Sequence, residues 1–166
     1  MARTSSILPS ISSPFLRVLW GCLPLLGWVA GCSVGPIEIS DQPLAGKIGG
    51  ADWALHSAET NAILSANFST YFAAAYGNAL APCTGAGSAA SGNQLILSIP
   101  KVAGDFPLGL ALKQTFYVTA TNTNYVASLG RLVVHEVTAT TISAGAHVQF
   151  DQDNEVDGQF TVTICD

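Results

Sequence analysis

The chain has 166 residues, of which six are Lys or Arg and eleven are Asp or Glu, giving a formal net charge of −5 with histidine neutral. Cations this few and this scattered argue against a nucleic-acid surface, whose affinity depends on clustered Lys and Arg neutralising phosphates. They argue equally against docking on anionic headgroups by charge alone.

Residues 1–31 have the three parts of a secretory signal. Arg3 and Arg17 bring positive charge with no acid before Glu38, an apolar core runs from Leu16 to Ala30, and small residues close it. The core holds Gly21, Pro24 and Gly27. At about 15 residues it is shorter than the roughly 20 that a membrane-crossing helix needs. Its end, Val29-Ala30-Gly31-Cys32, resembles the lipobox of bacterial prolipoproteins: a branched aliphatic, two small residues, then a cysteine. The resemblance implies that the Cys32 thiol receives a diacylglyceryl group and that cleavage makes Cys32 the first residue of the mature chain. Each buried methylene contributes about 0.8 kcal/mol, so two or three acyl chains on one cysteine hold where a single chain binds only reversibly. Ser33 stands where an aspartate commonly signals inner-membrane retention, which points the family reading toward the outer membrane.

Removing residues 1–31 leaves a chain of single-domain size. Lys47, Lys101, Lys113 and Arg131 are then the only strong cations against eleven acids, a net charge near −7. In this reading Cys22 leaves with the signal and Cys32 carries lipid, so Cys83 and Cys165 remain as the one internal pair. In an oxidising compartment two such cysteines are expected to join. Closing so long a loop stabilises by roughly 4 kcal/mol in the chain-entropy picture. No Cys/His spacing points to zinc.

Val34 to Ala45, with Gly35, Pro36 and Pro43, reads as a tether over 32–45, within which Ile37-Glu38-Ile39 could pair as a short edge strand. A folded domain is expected over 46–166. Its texture is β: short runs of Val, Ile, Thr, Phe and Tyr broken by Gly, Pro, Asn and Asp. Lys47 to Ser57 is the first predicted strand, with Trp53 and Leu55 on one face and Asp52, Ala54 and His56 on the other. Ser65 to Tyr76 is double-natured. Phe68 and Phe72 share a helical face, but the aromatic-rich run Phe68-Ser-Thr-Tyr-Phe favours a strand. Ala81 to Asn93 is loop; Gln94 to Ile99 alternates clearly and ends at Pro100. Phe106-Pro107-Leu108-Gly109 reads as a turn, and Thr115 to Thr121 as a strand with Phe116, Val118 and Ala120 inward. Arg131–Val137, Thr138–Ile142, Ala144–Phe150 and Gln159–Cys165 follow at short spacing, with a hairpin turn predicted over Asn154–Gly158. The pattern predicts an all-β fold, a single antiparallel β-sandwich or barrel-like domain.

The stretches Gly130-Arg-Leu-Val-Val, Ser143-Ala-Gly-Ala-His-Val-Gln-Phe150 and Gly158-Gln-Phe160, ending in Cys165, also resemble small bacterial lipoproteins of unknown function. Those carry one β-sandwich behind a lipidated cysteine. The resemblance covers about a third of the mature chain, supports the fold and assigns no activity.

Candidate sites are sparse. Asp151, Asp153, Glu155 and Asp157 alternate along an expected loop, and convergent carboxylates can hold Ca²⁺, which takes six to eight oxygens. An EF-hand comparison fails at Ile164, where the bidentate glutamate should stand, and an acidic hairpin tip that repels neighbouring edges is the plainer reading. His56, His135 and His147 are scattered, and Gly85-Ala-Gly87-Ser88 matches neither a nucleophile elbow nor a phosphate loop. Trp53, Tyr71, Tyr76, Tyr117 and Tyr125 could build a sugar- or peptide-binding surface. The reading is therefore an exported, lipid-anchored envelope protein, non-enzymatic and without cofactor, with a structural or interaction role toward a protein or glycan. A calcium-dependent or glycan-binding adhesion module is the alternative, and a small envelope hydrolase the third.

Overall fold

The computed structural model describes residues 37–84 and 91–165. The signal segment, the lipobox with Cys32, and Gly85-Ala-Gly87-Ser88 lie outside the described residues. In chain order the elements are β1 (Ala45–Ile48), β2 (Ala51–Ala54), β3 (Ser57–Thr60), α1 (Ala62–Ser65), β4 (Thr70–Tyr76), β5 (Gln94–Pro100) and β6 (Gly104–Pro107). There follow β7 (Gln114–Val118), β8 (Thr123–Ala127), β9 (Leu129–Val137), β10 (Thr141–Asp151) and β11 (Asn154–Thr163).

The domain is all-β, as its texture predicts. Its strands form one mixed sheet, ordered β6-β9-β10-β11-β3-β4-β5-β7-β8, which curls into a half-barrel. The β11–β3 pair is parallel; the other strand pairs are antiparallel. Side chains alternate between the two faces of a strand, so each run of alternate apolar residues supplies one row of core. Leu95, Leu97 and Ile99 of β5 face Leu132 and Val134 of β9, Ile142 and Val148 of β10, and Val156 and Val162 of β11 within one cluster around Phe116. Each such side chain contributes roughly 1.5–3 kcal/mol when fully buried. Gln114 is buried as well, and its amide replaces a missing ladder step by accepting from Ser98 N (2.7 Å) and donating to Ser98 O (3.0 Å).

Several boundaries differ from the sequence expectation. The predicted strand over Lys47–Ser57 is broken at Gly49 and Gly50, whose φ angles are 64° and 75°. That is the two-residue hairpin conformation, which glycine reaches without a Cβ clash. The strand reading holds over Thr70–Tyr76, and a single helical turn precedes it, capped by Asn61 Oδ1 accepting from Leu64 N (2.9 Å). Phe68 and Phe72 meet edge to face at 5.3 Å. Phe106-Pro107 is not a turn but the end of β6, at the sheet edge, where a proline forfeits no ladder bond. Ala120, expected inward, is exposed in the β7–β8 turn, and Thr138–Thr140 is a turn rather than part of a strand. Ile37-Glu38-Ile39 forms no strand. Packing begins inside the expected tether: Pro43 bridges Gln159, and Leu44 is fully buried.

The β10–β11 turn falls at Gln152-Asp153, and the predicted turn glycine, Gly158, lies inside β11 with φ 136°. Its role is close approach: a Cβ there would stand 2.5 Å from Gln42 O and 2.8 Å from Leu44 N. The two hairpin tips latch together through Gly50 N donating to Asp153 O (2.9 Å) and Gly49 N donating to Asn154 Oδ1 (2.9 Å).

Cys83 and Cys165 form a disulfide, joining the loop after β4 to the second residue beyond β11 across 82 positions. We expect no free thiol at either cysteine in the unreduced domain, and a loss of about 2–5 kcal/mol in urea unfolding for Cys83→Ala with Cys165→Ala. Burial, and secondarily the Glu59 charge, raise the Tyr76 phenol above its ordinary value. The folded protein thus keeps that proton where the unfolded chain, titrating near pH 10, releases it. Stability is expected to fall as pH rises from about 10 through the folded value, and Tyr76→Phe to flatten that alkaline slope in pH-resolved urea unfolding.

Candidate functional site

The solvent face of β9, β10, β11 and β1 gathers the polar groups. Register sets Arg131 opposite His147, His147 opposite Asp157, and Asp157 opposite Ala45, so one row crosses four strands. The neighbouring row runs Gln149, Glu155, Lys47 and Asp52. His147 is the pivot: Nε2 lies 3.8 Å from Glu155 Oε1 and Nδ1 lies 3.8 Å from Asp157 Oδ1, both beyond direct hydrogen-bond length. Gln149 Nε2 donates to Glu155 Oε2 (3.1 Å). His135 Nε2 meets Gln159 Oε1 at 2.9 Å.

The segment from Ile37 to Leu44 straps across this face. Arg131 uses three donors at once: Nε and Nη2 fork onto Asp105 (2.9 and 2.7 Å), while Nη1 donates to Ile37 O (2.9 Å). The Arg131 hydrogen bonds hold the Asp105 carboxyl below the ordinary carboxylate range. Ser40 N donates to both Asp157 oxygens (3.2 Å each), and Gln159 Nε2 donates to Ser40 O (2.9 Å). Gln159 N then donates to Gln42 O (2.7 Å), and Leu44 N to Gln159 O (2.9 Å). Beside the strap, Ala45, Gly46, Lys47, Gln152, Glu155 and Asp157 line an open groove of about 340 Å³ with one cation and two carboxylates.

The four acids singled out in sequence are dispersed. Asp151 Oδ1 accepts from Asp153 N (3.0 Å) and Asn154 Nδ2 (2.8 Å), shaping the turn; Asp153 sits at the tip; Glu155 and Asp157 face His147 and the strap. Among the described residues, the ligand-type atoms that do converge belong to Glu59, Cys83 and Cys165. Both sulfurs there are committed to the disulfide, and Glu59 Oε2 accepts from Cys83 N (2.6 Å).

The histidines do not meet. His56 lies exposed between β2 and β3, and no histidine ring among the described residues is hydrogen-bonded to a serine hydroxyl. The aromatic residues are split as well. Trp53 and Tyr76 are buried, Tyr71 packs on the core beneath Lys101 (4.9 Å), Tyr117 donates to Asn122 Oδ1, and Tyr125 lies against Phe150 at 5.2 Å. Sequence reasoning missed the Arg131–Asp105 fork and the strap, since both depend on cross-strand register. The one linear signal was that Arg131 is among four strong cations after residue 31.

Comparison with protein-family models, with curated proteins and with solved structures returns no match.

The strap yields a local prediction. Asp157→Ala should speed amide exchange at Ser40 by about tenfold, the equivalent of about 1.4 kcal/mol, while Leu44, held by backbone alone, keeps its protection. Equal loss at both amides, read by NMR-detected exchange, would mean the strap does not hang on Asp157. Because Asp151 is used on the turn while Glu155 and Asp157 face His147 and the strap, millimolar calcium is expected to leave the melting temperature unchanged. A rise abolished by Asp153→Ala with Asp157→Ala would restore the calcium reading.

Proposed function

We propose that this chain is a lipid-anchored bacterial envelope lipoprotein, exported, with Cys32 as its acylated first residue and a domain serving a structural or interaction role. The observation that carries the reading is the apolar run closing on Val29-Ala30-Gly31-Cys32. The Cys83–Cys165 disulfide supports it, because such bonds persist in oxidising compartments outside the cytosol. The acidic surface supports it in another way: a net charge near −7 gives no purchase on anionic lipid, so a covalent anchor would supply the membrane affinity.

The outer-membrane assignment follows from Ser33 in place of an aspartate and belongs to the same proposal. The interaction role draws on the polar strapped face, whose open groove offers Lys47, Glu155 and Asp157 to a peptide or glycan.

Intact mass decides the anchor. Protein extracted from bacterial membranes should begin at residue 32 and carry added acyl mass, and Cys32→Ala should lose both the mass and the membrane fraction. An unacylated chain cut elsewhere would replace this reading with a freely secreted domain.

A further inference from the structure

The end of the sheet nearest the strap is apolar and uncovered. Leu110 is 92% exposed, Leu129 61% and Phe150 45%. All three lie near one end of the sheet, Leu129 on the strapped face beside Gln149 and Phe150 at the β10 bulge against Tyr125. Gly109 N donates to Leu112 O (2.9 Å), closing a tight turn with Leu110 inside it. Leu108 N donates to Gly130 O (3.0 Å), which docks that turn on the start of β9, where Leu129 stands. Gln149 is the register partner of Leu129, and Phe150 follows it. Exposed apolar groups gathered at one end mark a contact surface more often than scattered single residues do.

The chain itself indicates what lies against this end. Ile37 is held by Arg131, two residues along β9 from Leu129, a separation of about 7 Å in a strand. Five residue steps separate Ile37 from Cys32, so their Cα atoms are at most about 18 Å apart in any conformation. A lipid on Cys32 therefore keeps the bilayer surface within reach of this end of the domain. Another exposed apolar group, Ile63, Leu64 and Phe68, lies beside the far end of β11, where Cys165 N donates to Thr60 Oγ1. That is about 27 Å along the strand from Glu155. Lys113, exposed three residues after Leu110, brings a cation on a long apolar stem, suited to the headgroup level. The carboxylates at the adjoining tip, Asp151 and Asp153, favour neutral over anionic lipid.

We propose that Leu110, Leu129 and Phe150 form a second membrane contact that rests on the bilayer to which Cys32 is anchored. This rests on the lipid-anchor reading. The contact is weak alone and effective when tethered, because the anchor converts it into an intramolecular event at high local concentration.

The test places Leu110→Trp in the full chain, expressed in bacteria and carried on phosphatidylcholine vesicles with brominated acyl chains, with acylation verified by mass. Trp53 is buried and provides a constant background. Emission from the introduced indole should shift to the blue and be quenched by bromine. Ile63→Trp at the far end should remain unquenched, and adding Leu129→Glu to Leu110→Trp should abolish the quenching. Acylated protein with no quenching at Leu110→Trp overturns the contact and leaves the anchor standing, as does equal quenching at both positions. A blue shift without quenching that grows with protein concentration overturns it in favour of pairing between copies. Absence of acyl mass overturns the anchor and the contact together, and the mass spectrum reports that outcome separately.

Discussion

One edge of β11 has to serve three partners, and the rest of the sheet depends on that division. On its other side β11 pairs with β10 along nearly its whole length. On the divided side it takes β1 at 155–157, Pro43 at Gln159, and β3 at Thr163. The chain can approach closely at the middle of these only because Gly158 has no side chain and accepts φ 136°. With the edge so shared, the hairpin β1–β2 and the long β3–β4–β5–β7–β8 arm leave from neighbouring points on a single strand, and the sheet must curl to bury both. Phe116, Leu97, Leu132 and Val156 then share one buried core.

The polar face is the outer side of the same arrangement. Because β9, β10, β11 and β1 run side by side in fixed register, Arg131, His147 and Asp157 fall in line without being near in sequence. Both ends of that row are used on the backbone of Ile37–Ser40, so the site and the N-terminal strap are a single construction. Each exposed ion pair in it contributes little by itself. The main-chain bonds of Gln42 and Leu44 to Gln159, with Leu44 buried beneath, give the strap its firmer hold.

Alternation was legible wherever one face is core and the other water. Gln94–Ile99 and the alternating parts of the C-terminal sheet could be read directly, because Leu95, Leu97, Phe160 and Val162 recur at every second position. Thr141-Ile142, expected to end a separate strand over Thr138–Ile142, and Ala144–Phe150 instead belong to one strand, β10. Glycine and proline were harder, since each has more than one use. Gly49-Gly50 marks a turn inside what looked like one strand, Gly158 marks a close approach inside what looked like a turn, and Pro107 ends an edge strand. β8 escaped notice because Thr123–Ala127 buries only one residue fully, Ala127. The disulfide was legible by elimination among four cysteines. The strapped face was not, because nothing local to Arg131 tells that Ile37, 94 positions away, will lie against it.

The strap also fixes how the domain bears load. Any pull on the chain ahead of Ile37 enters the sheet first at the Arg131 and Asp157 contacts, which can give way one by one. Beyond them the tension reaches Gln159 in the middle of β11, a strand paired along nearly its whole length to β10 and followed by Cys165, which is bonded to Cys83 beside Glu59 of β3. A tug on the N-terminus would therefore peel a few residues cheaply and then meet a covalently braced strand, so the strap acts as a mechanical fuse in front of a stiff body.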